Sequence, residues 1–286
     1  MKRLSDIGTI KDILSRYGFS FSKGLGQNFL INPSVCPRMA DFSGAGEGVG
    51  VIEIGPGIGV LTQELCLRAD KVVAVEIDKR LLPVLEETLS DFDNLKVVNA
   101  DVMELDLSEL IENEFKGMRV VVCANLPYYI TSPVIMKLLE DKLPVEAITV
   151  MVQKEAAQRI CAEVGSRQGG AVTAAVNYYC EPELLFNVSA GSFMPAPKVD
   201  SAVIRLNIYK EPKYKLRNDR DFFKVVKASF AQRRKTVLNS ISSSLGLEKK
   251  VVNELLLESK VSPTARAEKL SMDDFVRIAE RISDYE

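Results

Sequence analysis

Five short runs of β-branched and other apolar residues, Val49–Ile54, Lys71–Glu76, Leu95–Asn99, Arg119–Ala124 and Ala147–Val152, alternate with segments whose apolar residues recur at helical spacing. A strand that is apolar along its length must be covered on both faces, and strands separated by helices connect by crossovers into a parallel sheet. The pattern predicts a doubly wound, Rossmann-like α/β sheet, with helices over residues 59–68, 79–89, 105–114, 132–141 and 153–163. Ahead of it, Leu4, Ile7, Ile10, Ile13, Leu14 and Tyr17 sit at near-helical spacing and predict a leader helix, followed by an irregular loop marked by Gly18, Gly24 and Gly26. Two further strand runs, Glu183–Val188 and Val199–Tyr209, have little helix between them, which predicts an antiparallel hairpin at one sheet edge. Beyond Tyr209 the strand signal stops. Pro212 and its charged neighbours mark a linker over 210–221, and helical patterns fill 221–285. At roughly 150 residues per domain, the 286 residues make two domains, placed at 1–209 and 210–286, the second small and all-helical.

The chain has no histidine. It cannot run a Ser-His-Asp triad, a Cys-His pair, an HExxH zinc site or an imidazole proton shuttle, so chemistry carried by a bound cofactor becomes the favoured class. Its cysteines, Cys36, Cys66, Cys123, Cys161 and Cys180, fall 30, 57, 38 and 19 residues apart, matching neither paired zinc ligands nor a disulfide framework. They read as buried reduced thiols, and no metal site is expected. No run of about 18 uncharged apolar residues occurs. Asp6 and Asp12 interrupt the N-terminal segment, where a signal or transit peptide would lack acids. A cytoplasmic, monomeric protein with no membrane partner is expected.

The strand Val51–Ile54 runs into Gly55-Pro56-Gly57-Ile58-Gly59, with the helical run from Val60 behind it. Glycines there let a backbone approach a ligand closely. Glu76, seventeen residues after Gly59, closes the second strand, where a carboxylate can accept both hydroxyls of a ribose. The third strand ends in Asn99-Ala100-Asp101 and the fourth in Asn125, so all these positions fall at C-terminal strand ends, where doubly wound sheets bind ligands. A dinucleotide site uses GxGxxG to lay pyrophosphate on a helix N-terminus. Here the spacing is GxGxG, and Glu53, two residues before the first glycine, would repel pyrophosphate while suiting a cationic amino-acid group. Residues 74–116 hold twelve acids against four bases, which is consistent with S-adenosyl-L-methionine, a carrier of a sulfonium and an ammonium. The alternative for Glu53 is a structural acid bracing the loop at Gly24-Leu25-Gly26.

Asn125-Leu126-Pro127-Tyr128 closes the fourth strand. It resembles the N/D/S-P-P-Y/F signature of amino methyltransferases, in the NLPY form of the rRNA adenine N6-methyltransferases; the bland alternative is a turn with Tyr128 filling the core. Three more stretches carry the resemblance: Lys23-Gly24-Leu25-Gly26-Gln27-Asn28-Phe29-Leu30 is similar to KxxGQNFL, Phe193-Met194-Pro195-Ala196-Pro197-Lys198-Val199-Asp200-Ser201 to FxPxPKVDS, and Phe230-Ala231-Gln232-Arg233-Arg234-Lys235-Thr236 to FxxRRKT. In this order they cover nearly the whole chain, and it resembles the bacterial small-subunit rRNA adenine N6,N6-dimethyltransferases.

The resemblance implies a class I methyltransferase fold and transfer of methyl groups from S-adenosyl-L-methionine to two adjacent adenosines near the 3′ end of 16S rRNA, in a late small-subunit (30S) assembly intermediate. It implies cofactor contacts from Asn28, Leu30, Gly55, Glu76, Asp101 and Asn125. Catalytic roles fall to Asn125 and the Leu126 carbonyl, which would accept hydrogen bonds from the target amine, and to Tyr128 and Phe193 as two aromatic walls around the base. For Phe193 the bland alternative is a hydrophobic plug at a Pro-rich turn.

Residues 210–250 hold twelve bases against four acids. Such a segment suits a polyanion, since each cation near a phosphate gains by counterion release; the alternative is a solvated helix face. Arg233, Arg234 and Lys235 on an expected helix, with Lys224 and Lys227 about two turns earlier, are the expected RNA contacts. Three rival readings remain: a 23S rRNA adenine dimethyltransferase conferring antibiotic resistance, a non-catalytic RNA-binding assembly or transcription factor on the same fold, and, disfavoured by GxGxG and NLPY, an NAD-dependent dehydrogenase.

Overall fold

The computed structural model describes residues 4–18 and 28–285. In chain order the elements are α1 (Ile7–Arg16), β1 (Phe29–Leu30), α2 (Val35–Ser43), β2 (Val49–Ile54), α3 (Val60–Cys66), β3 (Lys71–Glu76), α4 (Leu82–Thr88), β4 (Leu95–Asn99), α5 (Leu107–Glu114), β5 (Arg119–Asn125), α6 (Thr131–Glu140), β6 (Ala147–Gln153) and α7 (Lys154–Ile160). There follow α8 (Ala171–Tyr179), β7 (Cys180–Val188), β8 (Phe193–Met194), β9 (Ser201–Ile208), α9 (Asp219–Phe230), α10 (Val237–Leu245), α11 (Lys249–Glu258) and α12 (Met272–Ile282). Seven strands form one sheet in the order β4-β3-β2-β5-β6-β9-β7, with β2 parallel to β3 and β5, β3 to β4 and β5 to β6, while β9 runs antiparallel to β6. This is the doubly wound sheet expected from the alternating pattern. The last two sheet strands are hydrogen-bonded neighbours at one edge, but the segment joining them makes a separate pairing of its own through β8.

The chain falls into two compact units, residues up to 157 with 183–208, and 158–182 with 209 onward. The first unit carries the sheet. Val49 and Val51 of β2 bury one face in a cluster with Met39 and Ala40 of α2 and Leu61 and Leu65 of α3. Leader helix α1 is capped by Asp6, which accepts from the Thr9 N–H at 2.9 Å, and it buries Ile10, Ile13 and Leu14 with Phe29, Leu81, Leu85 and Leu89. Arg16 also meets Glu87 at 2.6 Å. That exposed pair is screened by solvent and adds little, whereas each buried aliphatic side chain contributes about 1.5–3 kcal/mol, so apolar burial docks the helix.

The second unit is helical. Sequence patterning divides the chain once, near 209, whereas in the structure 158–182 belongs with the helical unit. The reason is local to α8: Ala174 and Tyr178 are buried in the same cluster as Phe222 and Val226 of α9. The Tyr178 ring stacks on Phe222 with centroids 4.1 Å apart, and its hydroxyl donates to Asp219 at 2.7 Å. Among the described residues no helix is long and apolar enough to cross a membrane.

On the sheet face opposite Val49 and Val51, Gly50 lies beneath the buried Phe115 ring. A Cβ on Gly50 would come within 2.1 Å of Phe115 Cδ1, so the glycine is required by packing. Gly50→Ala would gain about 0.5–1 kcal/mol of strand preference and lose about 1–3 kcal/mol to overpacking. The expected outcome is a net drop in unfolding free energy in a urea titration; an unchanged or higher midpoint would contradict this packing.

Candidate active site

The chain runs outward from β2 through β3 to β4 on one side and returns to place β5 on the other, so the neighbours β2 and β5 diverge beyond their C-terminal ends. Connections leaving adjacent strands in opposite directions open a crevice there, and a cleft of the first unit occupies this position. Asn28, Leu30, Gly55, Glu76, Asp101, Asn125, Leu126, Tyr128 and Phe193 all line it. Every cofactor or catalytic position expected from the sequence therefore meets at one place. Lys23, Gly24, Leu25, Gly26 and Gln27 of the leader motif lie outside the described residues.

The glycine turn forms the floor. Gly55, Gly57 and Gly59 have φ of 70°, 63° and 94°, in the left-handed region where a side chain is strained. A Cβ on Gly55 would meet no atom within 4 Å, while one on Gly57 would press to 3.2 Å from Phe29. The first leaves room for a ligand and the second lets the leader segment close down.

Glu53, at the cleft floor, is 1% exposed, and its Oε2 has no hydrogen-bond partner among the described residues. Burial pushes its carboxyl up to about 8, the nearby Thr62 hydroxyl moderates the rise, and the charge of Glu76 adds to it. Glu76 is also raised by burial, with the backbone N–H groups of Asp78, Gly57 and Ile77 opposing; Asp78 donates to Oε1 at 2.8 Å. Asp101 caps its own turn, accepting from the Met103 N–H at 2.8 Å.

Across the cleft, Asn125 is the last residue of β5, and nothing among the described residues hydrogen-bonds its side-chain amide. The Leu126 N–H donates to the Met151 carbonyl at 3.2 Å, which holds the chain as it leaves the sheet. Tyr128 begins a short 3-10 turn, Tyr128–Ile130. Its hydroxyl lies 2.7 Å from that of Ser201 at the start of β9, and burial raises its pKa. Phe193 arrives from β8, paired with Leu30 of β1, and is 3% exposed, so most of its ring is core and the remainder lines the cleft. This two-residue ladder, with the Ile31 N–H on the Ser192 carbonyl at 2.9 Å, ties the leader to the loop before β9.

The sequence reading did not single out Phe29, Ile77, Met103 or Tyr129, which also line the cleft. Ile77, Met103 and Tyr129 follow directly on Glu76, the Asp101 turn and Tyr128, and the signal available was an apolar or aromatic residue next to a strand-end polar one.

The basic residues belong to the second unit. Lys224 and Lys227 are on α9, but Arg233, Arg234 and Lys235 form an exposed turn, not the expected helix. The helix stops because side chains farther along recruit its end: the Ser240 hydroxyl accepts from the Gln232 N–H at 3.1 Å, and Thr236 caps α10. The cysteines are free, buried except for the partly exposed Cys161, and burial raises their thiols.

The profile of the ribosomal RNA adenine dimethylases matches residues 18–284. The chain belongs to that family. Ribosomal RNA small subunit methyltransferase A of a Geobacillus species is 46% identical, the match covering 97% of each chain. The protein of the same name from Bacillus licheniformis is 48% identical over 96% of this chain and 95% of its own. Among solved structures, a dimethyladenosine transferase from Plasmodium falciparum is similar with a TM-score of 0.71 at 26% identity, covering 90% of this chain and 98% of its own. The 23S rRNA methyltransferase ErmE has a TM-score of 0.64 at 28% identity, covering 90% and 100%. Within a family named for adenine dimethylation, the cleft of this member joins a glycine turn backed by carboxylates to an Asn-Leu-Pro-Tyr turn flanked by a second aromatic ring.

The buried Glu53 carboxyl makes stability depend on pH. Its folded pKa of about 8 lies above the ordinary 4.5, so between these values the unfolded chain holds fewer protons and stability falls as pH rises. Glu53→Gln removes that slope. The stability of the variant relative to the native chain should grow from about pH 5 to about pH 8 and then level off. Denaturant titrations giving a pH-independent difference would mean that Glu53 is solvated or paired.

Proposed function

We propose that this chain transfers methyl groups from S-adenosyl-L-methionine to the N6 amines of two adjacent adenosines near the 3′ end of 16S rRNA, within a small-subunit assembly intermediate. The observation that carries the reading is the meeting, in one cleft, of a ribose-competent carboxylate, Glu76, with the Asn125–Tyr128 turn. The names of the relatives at 46% and 48% identity support the small-subunit target over the large-subunit one, whose structural relative is 28% identical. Intact Asn125, Tyr128 and Glu76 on the same cleft weigh against an inert binding factor.

The residues present fit the cofactor: open space above Gly55 admits a ligand, and the Glu53 Oε2, without a partner among the described residues, can meet a donor or cation. Glu76 would hold the ribose hydroxyls, Asp101 the adenine amine, and Asn28, Leu30 and Gly55 would enclose the rest, with Asn125 reaching the methionyl part. When bound, the cofactor supplies an electrophilic methyl group on a sulfonium.

The chain's own residues do the remainder by orientation and electrostatics. An exocyclic adenine amine is a poor nucleophile because its lone pair is delocalised into the ring. Hydrogen bonds from its N–H groups to the Asn125 side-chain oxygen and the Leu126 carbonyl favour a pyramidal nitrogen with a directed lone pair. As the nitrogen gains a bond its proton becomes acidic, and water or a carbonyl accepts it, so no histidine is needed. Tyr128, braced by Ser201, stacks on one face of the base, worth about 1–3 kcal/mol, and the exposed edge of Phe193 bounds the other. A base leaving its stack requires such compensation. Lys224, Lys227, Arg233, Arg234 and Lys235 contact the RNA backbone, where charge and shape dominate recognition.

Two substitutions separate the halves of the cleft. Asn125→Ala is expected to lower methyl transfer by about two orders of magnitude or more, with calorimetric cofactor affinity changed far less. Glu76→Ala should mainly weaken cofactor binding. Full activity of Asn125→Ala, or unchanged affinity of Glu76→Ala, would contradict these roles.

A further inference from the structure

Tyr129 follows Tyr128 in the 3-10 turn and lines the same cleft, yet the two rings have different surroundings. Tyr128 is half-buried with its hydroxyl on Ser201, whereas Tyr129 is 57% exposed and its hydroxyl bonds to nothing among the described residues. With about three residues per turn, successive side chains on a 3-10 helix diverge by about 120°. One ring therefore forms the wall and the other the rim. Ile77 and Met103 are also exposed at the cleft, but they adjoin Glu76 and Asp101 on the β3 and β4 side. Tyr129 alone of the three adjoins the acceptor turn.

A nucleobase entering the cleft leaves its neighbour in the strand with one face unstacked. An aromatic plane at the rim can take the place of the missing partner, and it does so whatever the base, because every base has a π-face. We infer that Tyr129 is a positioning residue whose ring stacks on the nucleobase adjoining the acceptor adenosine and holds the strand while the acceptor occupies the cleft. The inference rests on the rRNA methyl-transfer reading above.

The test compares the native chain, Tyr129→Ala and Tyr129→Phe on unmethylated 30S particles. A side chain this exposed can be truncated without unfolding the chain, which matching thermal midpoints verify. Tyr129→Ala is expected to lower kcat/KM about tenfold, chiefly through KM, and Tyr129→Phe to restore it to within about twofold. Calorimetric affinity for S-adenosyl-L-methionine stays the same in all three.

A second arm uses particles reconstituted with 16S RNA carrying an abasic residue beside the acceptor, on either side in turn. On one of these the native chain should lose the same factor and Tyr129→Ala lose nothing more, because the same contact is already gone. Equal efficiency of Tyr129→Ala on intact particles, losses that multiply on both abasic particles, failure of the phenylalanine to rescue, or a drop in cofactor affinity would each overturn the inference. A native chain that forms no dimethyladenosine would instead overturn the reading beneath it.

Discussion

The adjacency of β2 and β5 is the constraint on which the rest depends. Six register pairs, Val49 with Arg119 through Ile54 with Ala124, lock these strands side by side, and their helices leave in different directions, so the sheet cannot close over their ends. Everything lining the cleft is placed by that opening. The glycine turn continues β2, the Asn125 turn continues β5, and Glu76 and Asp101 come from the two strands beyond. The β1–β8 ladder then brings Leu30 and Phe193 to the same opening from positions more than 160 residues apart in sequence.

The electrostatics of the cleft follow from its burial. Burial disfavours charge on both Glu53 and Glu76, and the charge of Glu76 raises Glu53 further. A cation entering there relieves both penalties at once, while pyrophosphate would increase them. On the acceptor side the groups are neutral: an amide, backbone carbonyls, a phenol and a phenyl ring. That division suits a reaction in which a positively charged donor meets an uncharged amine and proton transfer can follow bond formation, and it explains how a chain without histidine can be an enzyme.

The parallel core was legible because its inner strands β2, β3, β5 and β6 are apolar on both faces and the crossovers have helical spacing, signals contained within a few residues. What stayed hidden depends on partners distant in sequence or on signals that cancel. Helix α2, which the sequence patterning did not mark, carries Pro37 in its first turn, where the missing N–H of proline would be unpaired in any case. Helix α8 is short, rich in β-branched residues and preceded by Gly169-Gly170, and its core is formed with α9, some forty residues later. Conversely, Gln232, Arg233, Arg234 and Lys235 are good helix formers, yet Ser240 and the Thr236 cap end the helix before them. The strand-end residues that line the cleft were legible where polar residues interrupt apolar runs, and Tyr129 was not, because its place is set by the turn and not by any pattern around it.

The central claim, that this cleft presents an adenine of small-subunit RNA to a methyl donor, is tested most directly by its choice of acceptor. The protein would be incubated with methyl-labelled S-adenosyl-L-methionine and, separately, with unmethylated 30S particles, 50S particles and naked 16S RNA, and the digested RNA analysed for labelled dimethyladenosine. The account predicts label in dimethyladenosine from the 30S particles and none from the 50S particles. Label in the 50S particles, or no transfer to any of the three, would contradict it.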